Sequence, residues 1–315
     1  MKKIPEEEIR QKLGDYHAPK GLYSLTKDMP FLGKVSCNVE SITAGSWQEI
    51  VIDYELGASG MADGSWFKAT FRFYSDWALF QTTEPSTANY VSAEYHAAPT
   101  IPGQSPATVQ KLAVRFDQKG HERPFQKAII VDTFDGYLKA GDHIIIRLGD
   151  RRFGGAGTRA QTFVEQNFKI RCYVDPLGTS RFAAVNPDLV IQIVPGVPAQ
   201  LQWVGSRIVR AGEKLPLRLR AEDEWGNACW DRPEPVEITA TLDGKPVYAK
   251  KATLAKKGWA VLLLEDVPTD KAGELVITAH LPAHPWVKPQ TFYATVDKAF
   301  EAPRIYYCDL HVHSE

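Results

Sequence analysis

The chain has 315 residues, of which 44% are hydrophobic and 24% are charged, with a formal net charge of −1 at pH 7. This is an ordinary globular composition, long enough for about two domains. A nearly neutral chain has no basic excess to bind nucleic acid or anionic lipid, and no segment approaches the roughly 20 apolar residues of a membrane span. The basic N-terminus lacks the apolar core of a signal peptide. We therefore expect a cytoplasmic protein that contacts neither nucleic acid nor membrane.

The first predicted element is a short helix over residues 4–13, within an N-terminal segment that covers residues 1–14. Pro5 suits a first helical turn, and the three glutamates that follow it favour the positive end of the helix dipole. Gly14 can end the helix.

Residues 15–194 alternate in hydrophobicity with a period of two, which is typical of strands. Alternating residues from Ile50 to Leu56 share one face. Those from Phe67 to Phe73 share a face of the next strand, with Lys68, Thr70 and Arg72 opposite. Loops with Gly, Asp and Pro separate the strands, so this region is predicted to be an antiparallel β-sandwich. Further alternating runs of this region begin at Leu112, Ile129, Ile144, Phe168 and Leu189.

Residues 195–199 read as a linker, and the strand spacing over residues 199–298 is typical of an immunoglobulin-like sandwich. Asp243-Gly244 is a two-residue hairpin signal. The turn over residues 223–227 resembles the end of the first strands in bacterial immunoglobulin-like modules of the invasin or filamin type, where Gly226 would take a positive φ. The inward-facing residues are predicted to be those of four alternating runs: Leu215 to Ala221, Val236 to Leu242, Trp259 to Leu263, and Leu275 to Ala279.

A glycine-rich segment over residues 155–160 matches the G-x-G-x-x-A pattern of dinucleotide-binding proteins. Five residues separate it from the preceding strand and no alternation of strands and helices surrounds it, so we do not predict nucleotide binding. Arg151, Arg152 and Arg159 lie in the same loop and could bind an anion. The alternative is a solvated loop whose arginines pair locally.

Two further features have competing interpretations. Aromatic residues in the long connection over residues 76–90 could stack on sugars or line an interface, or could pack in the core. The four cysteines are far apart and fit neither a zinc site nor a redox pair, so free buried thiols are predicted.

The last residues, Asp309-Leu-His-Val-His-Ser-Glu315, follow the apolar run Ile305-Tyr-Tyr307 and are predicted to form a strand. Alternate side chains of a strand point to the same face, so Asp309, His311 and His313 share one. Two imidazoles with this spacing can reach one metal ion, and the aspartate can orient one of them. The alternative is that the His-x-His pair is incidental.

This terminal segment, over residues 305–315, resembles the first strand of proteins of the PHP (polymerase and histidinol phosphatase) superfamily, which are distorted β/α barrels with a multinuclear metal site. Upstream motifs resemble the β-sandwich leader of a bacterial PHP-like family of unknown function, and the resemblance covers residues 40–315. Cys308 stands where many relatives have glycine. The upstream motifs are Ala44-Gly-Ser-Trp47, the segment from Gly64 to Trp77, Gln81 with Pro85, and the segment from Arg159 to Glu165.

The resemblance implies that His311 and His313 are metal ligands and that Asp309 orients one of them. It implies a divalent ion (Zn, Mn or Fe) in the full-length protein. Residues 303–315 would begin a barrel whose remainder, with the other ligands, lies beyond residue 315 and packs against the sandwiches. A barrel of this kind takes roughly 200 residues or more, so we expect the chain as it stands to be inactive.

Two function classes follow from the sequence. The first is the accessory region of a PHP-like metal-dependent hydrolase that acts on a small-molecule, phosphoester-type substrate. The second is a non-catalytic β-sandwich module that binds a glycan or a protein. Both rest on the same predicted fold class, which is all-β: two tandem antiparallel β-sandwiches followed by the first strand of a β/α barrel.

Overall fold

The computed structural model describes residues 24–25, 30–99, 107–255 and 260–301. The chain divides into two compact units, Met1–Val194 and Pro195–Glu315, referred to below as unit 1 and unit 2. The predicted helix over residues 4–13, Trp259 and the predicted terminal strand lie outside the described residues. Apart from one 3₁₀ turn at Pro30–Leu32, the regular elements described are strands. The all-β prediction is confirmed.

Unit 1 consists of one large sheet, one smaller sheet and a short two-stranded ribbon. The large sheet has the order β1-β13-β12-β6-β9-β8 with β3 beside β13, the smaller has the order β2-β5-β10-β7, and the ribbon joins β4 to β11. These strands are β1 (Ser24–Leu25), β2 (Gly33–Cys37), β3 (Ser41–Thr43), β4 (Trp47–Gln48), β5 (Ile50–Leu56), β6 (Trp66–Phe71), β7 (Val91–His96), β8 (Lys111–Asp117), β9 (Lys127–Phe134), β10 (His143–Leu148), β11 (Thr158–Arg159), β12 (Glu165–Asp175) and β13 (Phe182–Val194).

The core of unit 1 lies between its two larger sheets. Strand β5 shows why the fold forms, since Ile50, Ile52 and Tyr54 are fully buried and the residues between them are partly exposed. The Tyr54 ring stacks on Phe67 of the opposite sheet with ring centroids 4.7 Å apart. The Tyr54 hydroxyl donates a hydrogen bond to the Leu32 carbonyl, so the polar end of this buried ring is satisfied.

Strand β6 departs from the predicted pattern at two points. Lys68 and Thr70, on the face opposite the core, are also buried: the connection between β8 and β9 contacts Lys68, and the Thr70 hydroxyl donates to the Arg171 carbonyl. The Lys68 ammonium donates to the Gly120 carbonyl of this connection at 2.9 Å. The strand ends at Phe71, so the prediction that Phe73 shares a face of this strand is wrong, and 42% of Phe73 is exposed.

Unit 2 has two sheets that enclose a second core. The three-stranded sheet has the order β14-β16-β19, and the five-stranded sheet has the order β15-β21-β20-β17-β18. Leu217 and Leu219 of the first sheet and Ile277 of the second are fully buried in one cluster. The strands are β14 (Gln200–Val204), β15 (Ile208–Arg210), β16 (Leu217–Glu222), β17 (Glu234–Leu242), β18 (Lys245–Leu254), β19 (Leu262–Leu264), β20 (Gly273–His280) and β21 (Gln290–Asp297).

Two predicted turns of unit 2 are confirmed. Asp243 and Gly244 both have positive φ and join β17 to β18, as a two-residue hairpin requires. Gly226 has a φ of 83° in the turn after β16. The predicted phase of β19 is wrong. Leu264 is buried, Leu262 packs against the core, and Val261 and Leu263 are exposed.

Candidate functional site

The glycine-rich segment runs from the end of the connection after β10 into the ribbon strand β11. Strand β11 pairs antiparallel with β4, so the segment does not join a parallel strand to a helix as a dinucleotide site requires. Gly157 has a φ of 100°, and a Cβ at this position would lie 2.6 Å from the Gln48 carbonyl oxygen. Glycine is therefore needed here for the close approach of β4, not for a phosphate.

Arg152 is fully engaged by neighbouring carboxylates. Its guanidinium donates to both carboxylate oxygens of Asp150 at 2.8–3.2 Å and to Glu94 at 2.6 Å. Burial alone would raise the pKa of the Asp150 carboxyl, but hydrogen bonds from Arg152 and Ser92 hold it at about 2. Arg152 therefore neutralises a buried carboxylate.

Arg151 and Arg159 hold loops in place through backbone carbonyls. The Arg151 guanidinium donates to the carbonyls of Trp47 at 2.6 Å and Ala156 at 3.0 Å. That of Arg159 donates to the Asp76 carbonyl at 3.1 Å. The structure thus places the three predicted arginines in one loop region, where each donates to a different set of protein acceptors. Anion binding by this loop stays a prediction.

The aromatic connection over residues 76–90 contributes to the core. Trp77 and Phe80 are buried and pack around Phe71 with ring centroids 6.5 and 6.0 Å away. The Trp77 indole donates to the Thr158 hydroxyl at 3.0 Å, which satisfies its polar atom. The core interpretation of these two residues is therefore confirmed.

A second aromatic group, immediately before this connection, lies at the surface. Phe73 and Tyr74 are 42% and 43% exposed, and their ring centroids are 5.7 Å apart with the planes at 74°. Phe163 extends the group, since its ring lies 6.2 Å from that of Tyr74. We call these three residues, together with Arg72 and Arg123, the Phe73 cluster.

The two arginines of the Phe73 cluster lie against its rings. The guanidinium of Arg123 is 4.9 Å from the centroid of Phe73, and that of Arg72 is 5.7 Å from the centroid of Tyr74. Arg72 also donates to the Tyr74 hydroxyl at 2.7 Å. Within residues 30–99, 107–255 and 260–301, the ion pairs found leave Arg123 without a carboxylate partner. The cluster thus presents aromatic surface and an unneutralised cation.

A second group of side chains adjoins the Phe73 cluster, since the guanidinium of Arg72 lies 5.9 Å from the ring centroid of Phe125. Phe125 is buried, and the guanidinium of Arg171 lies 4.4 Å from its ring centroid. Arg171 in turn makes two hydrogen bonds of 3.0 Å to Asp188 on β13. The backbone amide of Phe73 donates to the Pro124 carbonyl at 2.9 Å, which joins the two segments that carry the cluster.

Sequence reasoning missed this cluster because Arg72-Phe73 continues the alternation of β6. The usable signal was Ser75-Asp76, a turn pair directly after two further aromatic residues. The pairing with Arg123 and Phe163 joins segments 50 and 90 positions away along the chain. Such contacts follow from tertiary structure and not from local pattern.

The predicted metal ligands His311 and His313, and Asp309 with them, lie outside the described residues. In the part of the chain that the structure describes, no three His, Cys, Asp or Glu side chains form a group that could hold a metal ion. Within the same residues, no helix has the length and apolar character needed to cross a membrane. Cys37, Cys172 and Cys229 are free thiols, of which Cys172 and Cys229 are buried as predicted and Cys37 is only partly buried; Cys308 lies outside the described residues.

Comparison with known proteins does not assign this chain to a family. No protein-family model and no curated protein sequence matches it, so neither supports the PHP resemblance. Similar solved structures include the Escherichia coli adhesin FdeC, with 11% identity over 85% of this chain and 64% of that chain, at a TM-score of 0.34. The FN1–FN3 domains of chicken CNTN1 have 7% identity over 84% of this chain and 65% of theirs, at a TM-score of 0.33. The D00-D0 domain of intimin has 11% identity over 84% and 99%, at 0.26.

All three structures have low sequence identity to this chain and low TM-scores. The chain spans just under two thirds of the length of the FdeC chain and of the CNTN1 chain. Likeness at this level carries no argument about activity or partners.

Proposed function

We propose that the chain acts as a non-catalytic β-sandwich module that binds a protein partner through the Phe73 cluster. The single observation that carries the proposal is the half-exposed pair Phe73 and Tyr74, with an arginine against each ring. Aromatic residues and arginine are the types enriched at protein interfaces and among their energetic hot spots.

The ring geometry favours a protein over a glycan. A sugar stacks on an open aromatic face, whereas the Phe73 and Tyr74 planes are inclined at 74° and each ring has a guanidinium near it. A protein side chain can instead enter between inclined rings and pair with a cation at their border. A glycan partner remains an outcome of the test below.

The charge of Arg123 indicates what the partner contributes. Arg123 is exposed and no described carboxylate pairs with it, whereas Arg171 is neutralised by Asp188. A guanidinium that already lies on an aromatic ring loses little side-chain entropy when it binds a carboxylate. We therefore expect an aspartate or glutamate of the partner to contact Arg123, with an apolar side chain against Phe73.

A comparison of two double variants tests this function. Phe73→Ala with Arg123→Ala removes the proposed surface. Phe153→Ala with Arg181→Ala removes one exposed aromatic and one exposed arginine elsewhere on unit 1. Wild type and both variants are immobilised and exposed to an isotope-labelled cell extract of the source organism. The same three proteins are also applied to a glycan array. The proposal predicts that some proteins captured by wild type are no longer captured by the first variant but are still captured by the second. Equal capture by all three, or glycan binding that depends on Phe73, would contradict it.

A second candidate function has its own observation, the terminal Asp309-x-His311-x-His313 motif. On this hypothesis the β-sandwiches accompany a PHP-like barrel, and the two imidazoles hold a divalent ion (Zn, Mn or Fe) that activates a water toward a phosphoester. The motif and the resemblance support it, and the described residues do not bear on it. Metal analysis of the full-length gene product tests it, since His311→Ala with His313→Ala should remove both metal and turnover.

A further inference from the structure

The outward face of the four-stranded sheet in unit 1 places two histidines opposite each other. His96 ends β7 and His143 begins β10, and the two are register partners in this antiparallel pair. Partner residues project from the same face with their Cβ atoms about 5 Å apart. On the other side of β10, His143 is the register partner of Glu55. The row across the sheet is therefore imidazole, imidazole, carboxylate, and the Glu55 carboxylate is already paired with the ammonium of Lys34 at 2.8 Å.

His143 is oriented for ligation by a neighbouring carboxylate. Its Nδ1 lies 2.8 Å from Oδ1 of Asp53 on β5. When Nδ1–H donates to a carboxylate, Nε2 carries the lone pair and is the ligating nitrogen. This is the arrangement in which metal-binding histidines are commonly held.

His96 can reach the same space from the other strand. Its side chain is 58% exposed, and its Nε2 lies 3.5 Å from Glu94, which is too long for a strong hydrogen bond. Glu94 is occupied by Arg147 at 3.2 Å and Arg152 at 2.6 Å. The imidazole of His96 is therefore exposed and makes only a long contact with Glu94, and Glu94 is held in place by the two arginines.

We propose that His96 and His143 together bind one divalent transition-metal ion, with Asp53 orienting His143 and water completing the coordination. Imidazole nitrogen suits Cu²⁺, Ni²⁺ and Zn²⁺, and the affinity is expected to be highest for Cu²⁺. No third ligating side chain joins them in the described part of the chain, so binding should be exchangeable. This site shares no residue with the proposed protein-binding surface or with the terminal His-x-His motif.

The experiment uses Cu²⁺ alone, in a background where His311→Ala and His313→Ala remove the terminal pair. Titration followed by electron paramagnetic resonance should show one equivalent bound, with coupling to two imidazole nitrogens. His96→Ala or His143→Ala should each weaken binding at least about 10-fold and leave one nitrogen. Asp53→Ala should weaken it about 10-fold or more, because the hydrogen-bond partner of a ligating histidine typically contributes 10- to 100-fold to metal affinity.

A matched control is His280→Ala, which removes a histidine from β20 of unit 2 and should leave the titration unchanged. His96 is exposed and Asp53, His143 and His280 are partly exposed, and circular dichroism verifies that each variant is folded. Binding that survives His143→Ala, or a spectrum with a single nitrogen in the parent protein, would overturn the proposal. Loss of binding in His280→Ala would overturn it as well.

Discussion

The guanidinium of Arg123 lies 4.9 Å from the centroid of the Phe73 ring, although the two residues belong to different connections of unit 1. Phe73 follows β6, and Arg123 comes from the connection between β8 and β9. The hydrogen bond from the Phe73 amide to the Pro124 carbonyl, 2.9 Å long, fixes the two segments together. The aromatic surface is therefore held by backbone contacts before any partner arrives, which lowers the entropic cost of binding.

Replacing Phe71 and Phe73 by alanine should have very different effects on the free energy of unfolding. Phe71 is buried among aromatic residues, so Phe71→Ala should lower the free energy of unfolding by about 3–5 kcal/mol. Phe73→Ala removes a half-exposed ring and an exposed cation–π contact, which should cost about 1 kcal/mol or less. Urea denaturation of both variants measures this. A large loss for Phe73→Ala would mean that the ring is structural.

Leucines of unit 2 provide a test of the phase of β19. Leu264→Ala should cost about 2–5 kcal/mol because the side chain is fully buried, and so should Leu217→Ala or Leu219→Ala on β16. Leu263→Ala is the matched control, since 49% of Leu263 is exposed and its loss should change stability by less than about 0.5 kcal/mol. Thermal melts compare them. A larger loss of stability for Leu263→Ala than for Leu264→Ala would show that β19 is shifted by one residue.

Asp223 holds the turn after β16 and should be costly to remove. Its buried carboxylate accepts hydrogen bonds from the backbone amides of Gly196, Trp225 and Asn227 at 2.8–2.9 Å. Asp223→Ala leaves these donors without their acceptor, and we expect a loss of about 2–4 kcal/mol. Glu224→Ala, at the exposed neighbouring position, should change the unfolding free energy little. Equal denaturation midpoints for the two variants would contradict this account.

Lys68 should make stability depend on pH. Burial of its ammonium, with repulsion from Arg115, lowers the pKa of Lys68 from 10.5 to about 8. Between pH 8 and 10.5 the unfolded chain therefore binds more protons at this residue than the folded chain. Stability contributed by Lys68 rises with pH in that window, by at most about 1.4 kcal/mol per pH unit, and below pH 8 the cost of the buried charge is fully present.

The variant Lys68→Met checks this prediction. Its stability relative to wild type should be greatest near pH 7 and should fall as pH rises from 8 to 10.5. Lys111→Met, at the exposed start of β8, is the control. A difference between wild type and Lys68→Met that stays constant across this window would show that the ammonium is not disfavoured in the folded state.

Local signals in the sequence predicted the features that local physics decides. Asp243-Gly244 and Gly226 need positive φ, and few residues other than glycine, asparagine and aspartate allow it. The phase of β19 failed because Val261-Leu-Leu-Leu264 has no polar residue to mark the outward face. The burial of Lys68 could not be predicted because a connection about 50 residues away covers it.

The candidate sites depended on pairing between distant segments. Phe73 continued a strand pattern that the chain leaves at Phe71, and only the approach of Arg123 and Phe163 makes a surface of it. The opposition of His96 and His143 depends on the register of two strands 47 positions apart, which alternation alone does not specify. The sequence predicted the layers and turns, but it did not predict which residues of separate segments contact each other.

The most direct test of the proposed function is the affinity of a purified partner for three forms of the chain. A protein captured by wild type but not by Phe73→Ala with Arg123→Ala is purified, and its dissociation constant is measured by calorimetry. We expect the cluster variant to bind at least about 30-fold more weakly, because two hot-spot residues are lost. Phe153→Ala with Arg181→Ala should bind within about twofold of wild type. Equal affinity for all three forms would contradict a binding function of the Phe73 cluster.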